Sequence, residues 1–141
     1  MHFTDVSGVG EGAVFLIRGE ANILFEAGMA YAAAPMVEKI KKELGGGRVD
    51  AVLLSHSHYD HVSGLPAVRR AWPDVKVYAS EKAGEILKKP SALETIRRLS
   101  GEAAEAAGLF WDPDYRDADL QVDETLEDGE TVRIGDHEVH A

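Results

Sequence analysis

The sequence predicts an α/β domain in which helices are layered on a sheet, and three observations carry that prediction. The unbroken apolar run from Val49 to Leu54 has the character of a strand buried on both faces in the middle of a sheet. Stretches of helical period precede and follow it, and a second apolar run, Val75-Lys76-Val77-Tyr78, comes after them. Two shorter runs near the start, rich in β-branched and aromatic residues, read as a strand pair. Helices alternating with strands are the pattern of a layered domain.

Composition sets the outer limits. With 141 residues, 45% hydrophobic and 28% charged, the chain is long enough for one domain with a core of its own. A net charge of −10 argues against a generic nucleic-acid binder and against attachment to an anionic membrane. Met1 to Asp5 lacks a basic segment and a long apolar stretch, so no secretory signal is expected, and no apolar run reaches bilayer-spanning length. Without cysteine there are no disulfides. A cytoplasmic protein is the default expectation.

Taken in order, Gly8-Val9-Gly10-Glu11-Gly12 precedes a strand instead of opening a helix, which marks an entry loop and not a phosphate cradle. Ala13 to Ile17 and Ile23 to Phe25 form the predicted hairpin around Arg18 to Asn22. Pro35 to Leu44 is an amphipathic helix, with Val37, Ile40 and Leu44 on one face and Gly45-Gly46-Gly47 ending it. After the strand at 49–54 and a histidine-rich loop, Leu65, Val68 and Trp72 share a helical core face. A helix from Ser80 to Lys89 is predicted to break at Pro90, and Ser91-Ala92-Leu93-Glu94 has the spacing of a capping box opening the next. Leu109 to Tyr115 is aromatic and loop-like; packing explains it, and a substrate-pocket wall is the second reading. Asp128-Gly129 is a two-residue hairpin signal between Thr125-Leu126 and Thr131 to Ile134, and Gly135-Asp136 marks another turn. His137 and His140 fall on opposite sides of the last strand and read as surface residues.

The chemistry concentrates between Ser55 and Gly64. His56, His58, Asp60 and His61 lie within six positions at the end of the central strand, in a chain with only six histidines. On an extended segment His56 and His58 point to one side and Asp60 continues the alternation; the backbone must then turn for His61 to join them. Imidazole and carboxylate both suit zinc, and imidazole also suits iron. Nitrogen and oxygen donors without thiolate point to a catalytic metal site, not a closed structural one.

The segment His56-Ser57-His58-Tyr59-Asp60-His61 resembles the His-x-His-x-Asp-His signature of the metallo-β-lactamase-fold hydrolases. That resemblance implies the N-terminal part of an αββα sandwich, a mixed sheet covered by helices, with its second half incomplete. It implies one domain over residues 1–141 that stops short at the C-terminal end of the family pattern. His56 and His58 would belong to a first metal site, and Asp60 and His61 to a second. Asp60 would also be catalytic, orienting the nucleophile. The implied cofactor is zinc, two ions per complete site, with iron or manganese as alternatives. The implied reaction is hydrolysis of a small-molecule ester, thioester, lactone or phosphodiester. Where the family has Asp-x-Gly after the second strand, this chain has Glu26-Ala27-Gly28, so Glu26 is either a support beneath the metal loop or an exposed strand end. The family's Pro-Gly-His, bridging aspartate and last histidine have no counterpart in the sequence, which leaves each site two protein ligands where a catalytic zinc normally has three. The chain alone is therefore expected to bind zinc weakly, and an unfinished sheet to favour self-association. Two further readings are an iron-dependent, dioxygenase-like oxidoreductase on the same fold and a non-catalytic metal-binding half-domain that self-associates. An RNA-processing nuclease ranks last given the acidic balance. His58, standing where the electron-transferring di-iron branch has a carboxylate, argues against that branch.

Overall fold

Leu16, Leu24, Val52 and Val77 stand opposite one another on four neighbouring strands and all point to the same side. That row is the floor of the main core. In the computed structural model, which describes residues 2–8, 13–109 and 115–140, the strands are β1 (His2–Asp5), β2 (Phe15–Arg18), β3 (Ile23–Phe25), β4 (Ala51–Leu53), β5 (Lys76–Ser80) and β6 (Glu124–Leu126). They lie side by side in sequence order as one mixed sheet. The β1, β2 and β3 strands are antiparallel; from β3 onward every pairing is parallel.

Each parallel step carries a helical crossover, as parallel pairing requires. Helix α1 (Ala33–Leu44) links β3 to β4; α2 (Tyr59–Val62) and α3 (Leu65–Ala71) link β4 to β5; α4 (Glu81–Ile86) and α5 (Pro90–Ala106) link β5 to β6. Met36, Val37 and Ile40 of α1, Leu65 and Val68 of α3 and Ile96 of α5 close over the Leu16 row. Each such residue contributes about 1.5–3 kcal/mol by leaving water. Three-residue strands are too short to persist alone, so this packing holds them. Gly45 ends α1 at φ +65, with Lys41 and Lys42 facing the negative end of the helix.

The other sheet face displays the alternate row Ile17, Ile23 and Ala51 and, one step along, Phe15, Phe25, Leu53 and Tyr78. A hairpin of β7 (Thr131–Ile134) and β8 (His137–His140) lies over part of it, with Ile134 packed on Ala21, Ile23 and Ala51. Beside the hairpin the face stays open as an apolar trough of about 590 Å³, bordered by Phe3, Phe15, Ile17, Phe25, Leu53 and Val139. Among the described residues no helix is long and apolar enough to cross a membrane.

Several expectations change on contact with the fold. The central strand occupies only Ala51–Leu53: the amide of Leu54 still bonds the Tyr78 carbonyl, and the chain then bends at Ser55 into the histidine loop. Ser91 does not cap α5: Pro90 already occupies the first turn, where a missing N–H costs nothing, and Lys89 is the cap residue. The working cap is Ser80, whose hydroxyl accepts from the Ala83 amide at the start of α4. Asp128-Gly129 does not close a hairpin. The strand before it joins β5 in the main sheet, with Asp123 bridging to Val77, while Gly135-Asp136 makes the tight turn between β7 and β8. The β1 strand had no clear signal. Most of the glycine-rich entry loop and residues 110–114 of the aromatic loop lie outside the described residues.

Candidate functional site

The carboxyl ends of β3, β4 and β5 meet at one rim of the sheet, and the histidine loop rises there. Its backbone is laced to the end of β3. The Glu26 amide donates to Leu53 O at 2.9 Å, Ala27 N to His61 O at 2.9 Å, and Gly64 N to Gly28 O at 3.1 Å. At Gly64 the two segments run so close that a Cβ would land on the Ala27 carbonyl oxygen. Ser63, buried behind the loop, donates its hydroxyl to Tyr59 O at 2.6 Å and accepts from Ala30 N at 2.8 Å. Glycine and serine here let the motif sit directly on the sheet.

Glu26 is the central support. It is only 3% exposed and sits in the left-handed region at φ +71, the one non-glycine residue among those described to do so. That conformation costs about 1–2 kcal/mol for an ordinary side chain. It turns the carboxylate up under the loop, where one oxygen accepts from Ser55 N at 2.5 Å and the other meets Nδ1 of His61. The support reading of Glu26 therefore holds, and the exposed strand-end reading does not.

The ring contacts fix which nitrogens remain available. With Nδ1 of His61 on the Glu26 carboxylate, Nε2 is left to act as a ligand. Ser55 Oγ holds Nδ1 of His56 at 2.7 Å, which likewise leaves Nε2. Burial pushes the His61 imidazole below its usual titration range, favouring the neutral, ligating form. Asp60 lies on α2, so the turn begins at Tyr59, two residues earlier than alternation along an extended strand implies.

Distances decide what this group can hold. The ring centres of His56, His58 and His61 lie 5.5, 5.1 and 6.4 Å apart pairwise. Imidazoles bound to one tetrahedral ion at about 2.0–2.1 Å would have centres about 5 Å apart. Asp60 Oδ1 is 3.7 Å from His61 Nε2, and two donors on one zinc stand about 3–3.5 Å apart. The donor set fits a metal in kind, while the His58–His61 and Asp60–His61 separations are wider than ligation of one ion requires. Among the described residues, however, no three His, Cys, Asp or Glu side chains already close around a single point.

The remaining histidines divide. His140 is exposed, with Nδ1 3.0 Å from Thr131 Oγ1. His137 is not the surface residue its sequence position suggested: it is buried, and Nε2 lies 2.9 Å from Ala21 O and 3.5 Å from Asp136 Oδ1. It tacks the hairpin to the β2–β3 turn, far in role from the motif. Tyr59 packs on the main core and also borders a cavity beside His58. Ser55 and Ser63 are the site residues that sequence reading passed over; only their place flanking the motif could have pointed to them.

Known proteins match this arrangement. The sequence model of the metallo-beta-lactamase superfamily matches residues 7–141. A probable metallo-hydrolase of Streptococcus pyogenes is 36% identical over 81 residues, covering 57% of this chain and 33% of that protein. A hydroxyacylglutathione hydrolase of Stenotrophomonas maltophilia is 38% identical over 66 residues, 47% of this chain and 24% of its own length. Among solved structures, the MIM-2 metallo-beta-lactamase superposes with a TM-score of 0.65 at 22% identity, over 96% of this chain and 46% of that one, a likeness of fold. The chain thus spans a third or less of the curated relatives it matches and about half of the solved neighbour.

Proposed function

The chain belongs to the metallo-β-lactamase superfamily, and from that premise we propose that it supplies the first four ligands of a metal-dependent hydrolase centre. His56 and His58 serve one ion, and Asp60 and His61 a second. Zinc fits the nitrogen and oxygen donors best. The observation that carries the reading is the clustering of three imidazoles above the buried Glu26 carboxylate at the carboxyl rim of parallel strands.

A bound divalent metal supplies two things here, a water acidified toward neutral pH and a polarised substrate oxygen. The chain's residues do the rest. Glu26 holds the Nδ1 proton of His61 and the Ser55 amide, so the loop keeps its shape while the rings ligate. Asp60 orients the attacking water through its carboxylate. The substrate is a small ester, thioester, lactone or phosphodiester, and its reacting group lies over the loop at the sheet rim. Ligands beyond these four complete the centre in the whole protein, because two per ion fall short of the usual three. The 141-residue domain is one part of that sandwich.

Titrating zinc into the metal-free chain while following the histidine ring signals by NMR tests this. Rings 56 and 58 should shift together and ring 61 should shift with the second ion, all weakly and with His137 silent, and His58→Ala should remove the response of ring 56. Zinc that leaves all three rings unmoved would sink the ligand assignment. Two tightly held equivalents in a monomer would overturn the view that further ligands are needed.

A further inference from the structure

Beside His58 a cavity of about 590 Å³ opens between the histidine loop and the facing turns of α4 and α5. Its walls are Ile86, Ala92, Ile96 and Leu99, with Ser91 and Thr95 between them. His58 and Tyr59 form its inner border, so the space is continuous with the candidate centre. Its volume falls within the range of about 300–1,000 Å³ that small-ligand sites occupy.

We propose that this cavity holds an uncharged, apolar arm of the substrate whose reacting group lies over the histidine loop; the inference rests on the hydrolase reading above. Charge decides the chemistry of the occupant. Among the described residues lining the space there is no lysine, arginine, aspartate or glutamate. The two arginines of α5 serve elsewhere: Arg97 pairs with Asp117 at 3.1 Å and lies over the Tyr115 ring, and Arg98 pairs with Glu102 at 3.3 Å. Thr95 gives its hydroxyl to the Ser91 carbonyl at 2.9 Å, which further reduces the polar groups offered to a ligand. A carboxylate seated against Ile86, Ile96 and Leu99, at the end of the space away from His58, would lose its water without gaining a cation, a transfer that is strongly unfavourable. An alkyl or aryl arm loses only water it gains by shedding. Selection for uncharged arms follows, with Ile96 and Leu99 as the specificity-determining residues.

The test uses the metal-free, isotope-labelled chain and two probes: N-octylacetamide and the same molecule ending in a carboxylate. The neutral probe should shift the amide signals of Ala92, Ile96 and Leu99 and the ring of His58. The anionic probe should bind about tenfold or more weakly, the expected effect of an unpaired charge on an apolar wall. Leu99→Lys should reverse that order of preference. Thr95→Lys, at an exposed position of the same rim, should do likewise and serves if the first variant does not fold. Equal binding of the two probes, or shifts confined to the Phe3 and Phe25 trough with α5 silent, would overturn the proposal. No metal or turnover enters the measurement, so a silent zinc titration alongside normal probe binding would remove the hydrolase reading separately.

Discussion

Glu26 joins three costly conditions in one residue: a buried charge, a left-handed backbone and a two-pronged grip on the histidine loop. Each has a separable signature. Glu26→Ala should cost about 1–3 kcal/mol of stability, because the Ser55 amide and the His61 ring nitrogen lose their partner. It should also weaken zinc binding about 10–100-fold, the usual effect of removing a group that orients a metal ligand. Glu26→Gly should be just as poor in zinc affinity yet about 1 kcal/mol more stable than Glu26→Ala, since glycine takes φ +71 without strain. Urea melts and zinc titrations of the two variants separate grip from strain; equal stabilities would show that the backbone stores no cost. Sequence reading reached His56, His58, Asp60 and His61 because their spacing alone is unusual. It could not decide the state of Glu26, since burial of a carboxylate depends on what lies above it, and that was the loop's fold.

At the scale of elements, the β7–β8 hairpin is held to the main sheet by a short polar latch. The Asp136 carboxylate accepts from the Glu20 amide at 2.8 Å, and this bond holds its carboxyl below the usual carboxylate range. A lowered folded-state value means the carboxylate favours the native state above the unfolded value near 3.9, and that this contribution fades as pH falls through the lowered one. Asp136→Ala should therefore lower the melting temperature at neutral pH and converge on the wild type in acid, as pH falls through that lowered value. Amide exchange should rise first in β7 and β8. A gap that persists unchanged in acid would refute the latch. The same hairpin explains why composition misplaced a turn. Asp128-Gly129 has the better local signal, but the open edge of β5 captures the strand before it, with Asp123 accepting from Val77 N at 2.8 Å. Pairing across the fold outweighs a local turn preference.

The whole molecule has one covered face and one partly covered face. The α/β class was legible because apolar runs and helical periods alternate over most of the chain, and those signals are local. Which sheet face stays open was not, because it depends on where β7 and β8 come to rest. Phe3 is 64% exposed and Phe25 39%, both beside the trough and beside β8, which among the described residues pairs on one side only. Apolar surface next to a free strand edge is a ready site for association. Sedimentation of the 141-residue chain should therefore show concentration-dependent oligomers, and Phe3→Lys should shift them toward monomer with a stability change within about 0.5 kcal/mol. A monomer at every concentration would count against association through this face.

The parallel strands give the molecule two unlike rims. The candidate centre occupies the one where β3, β4 and β5 finish, while the Gly45 to Gly47 turn and the Trp72 to Asp74 segment sit where β4 and β5 start. Gly45 and Gly46 have open space around them. A dye, an affinity handle or a surface linker attached there would report on or immobilise the protein from the back, leaving the histidine-loop side facing solution.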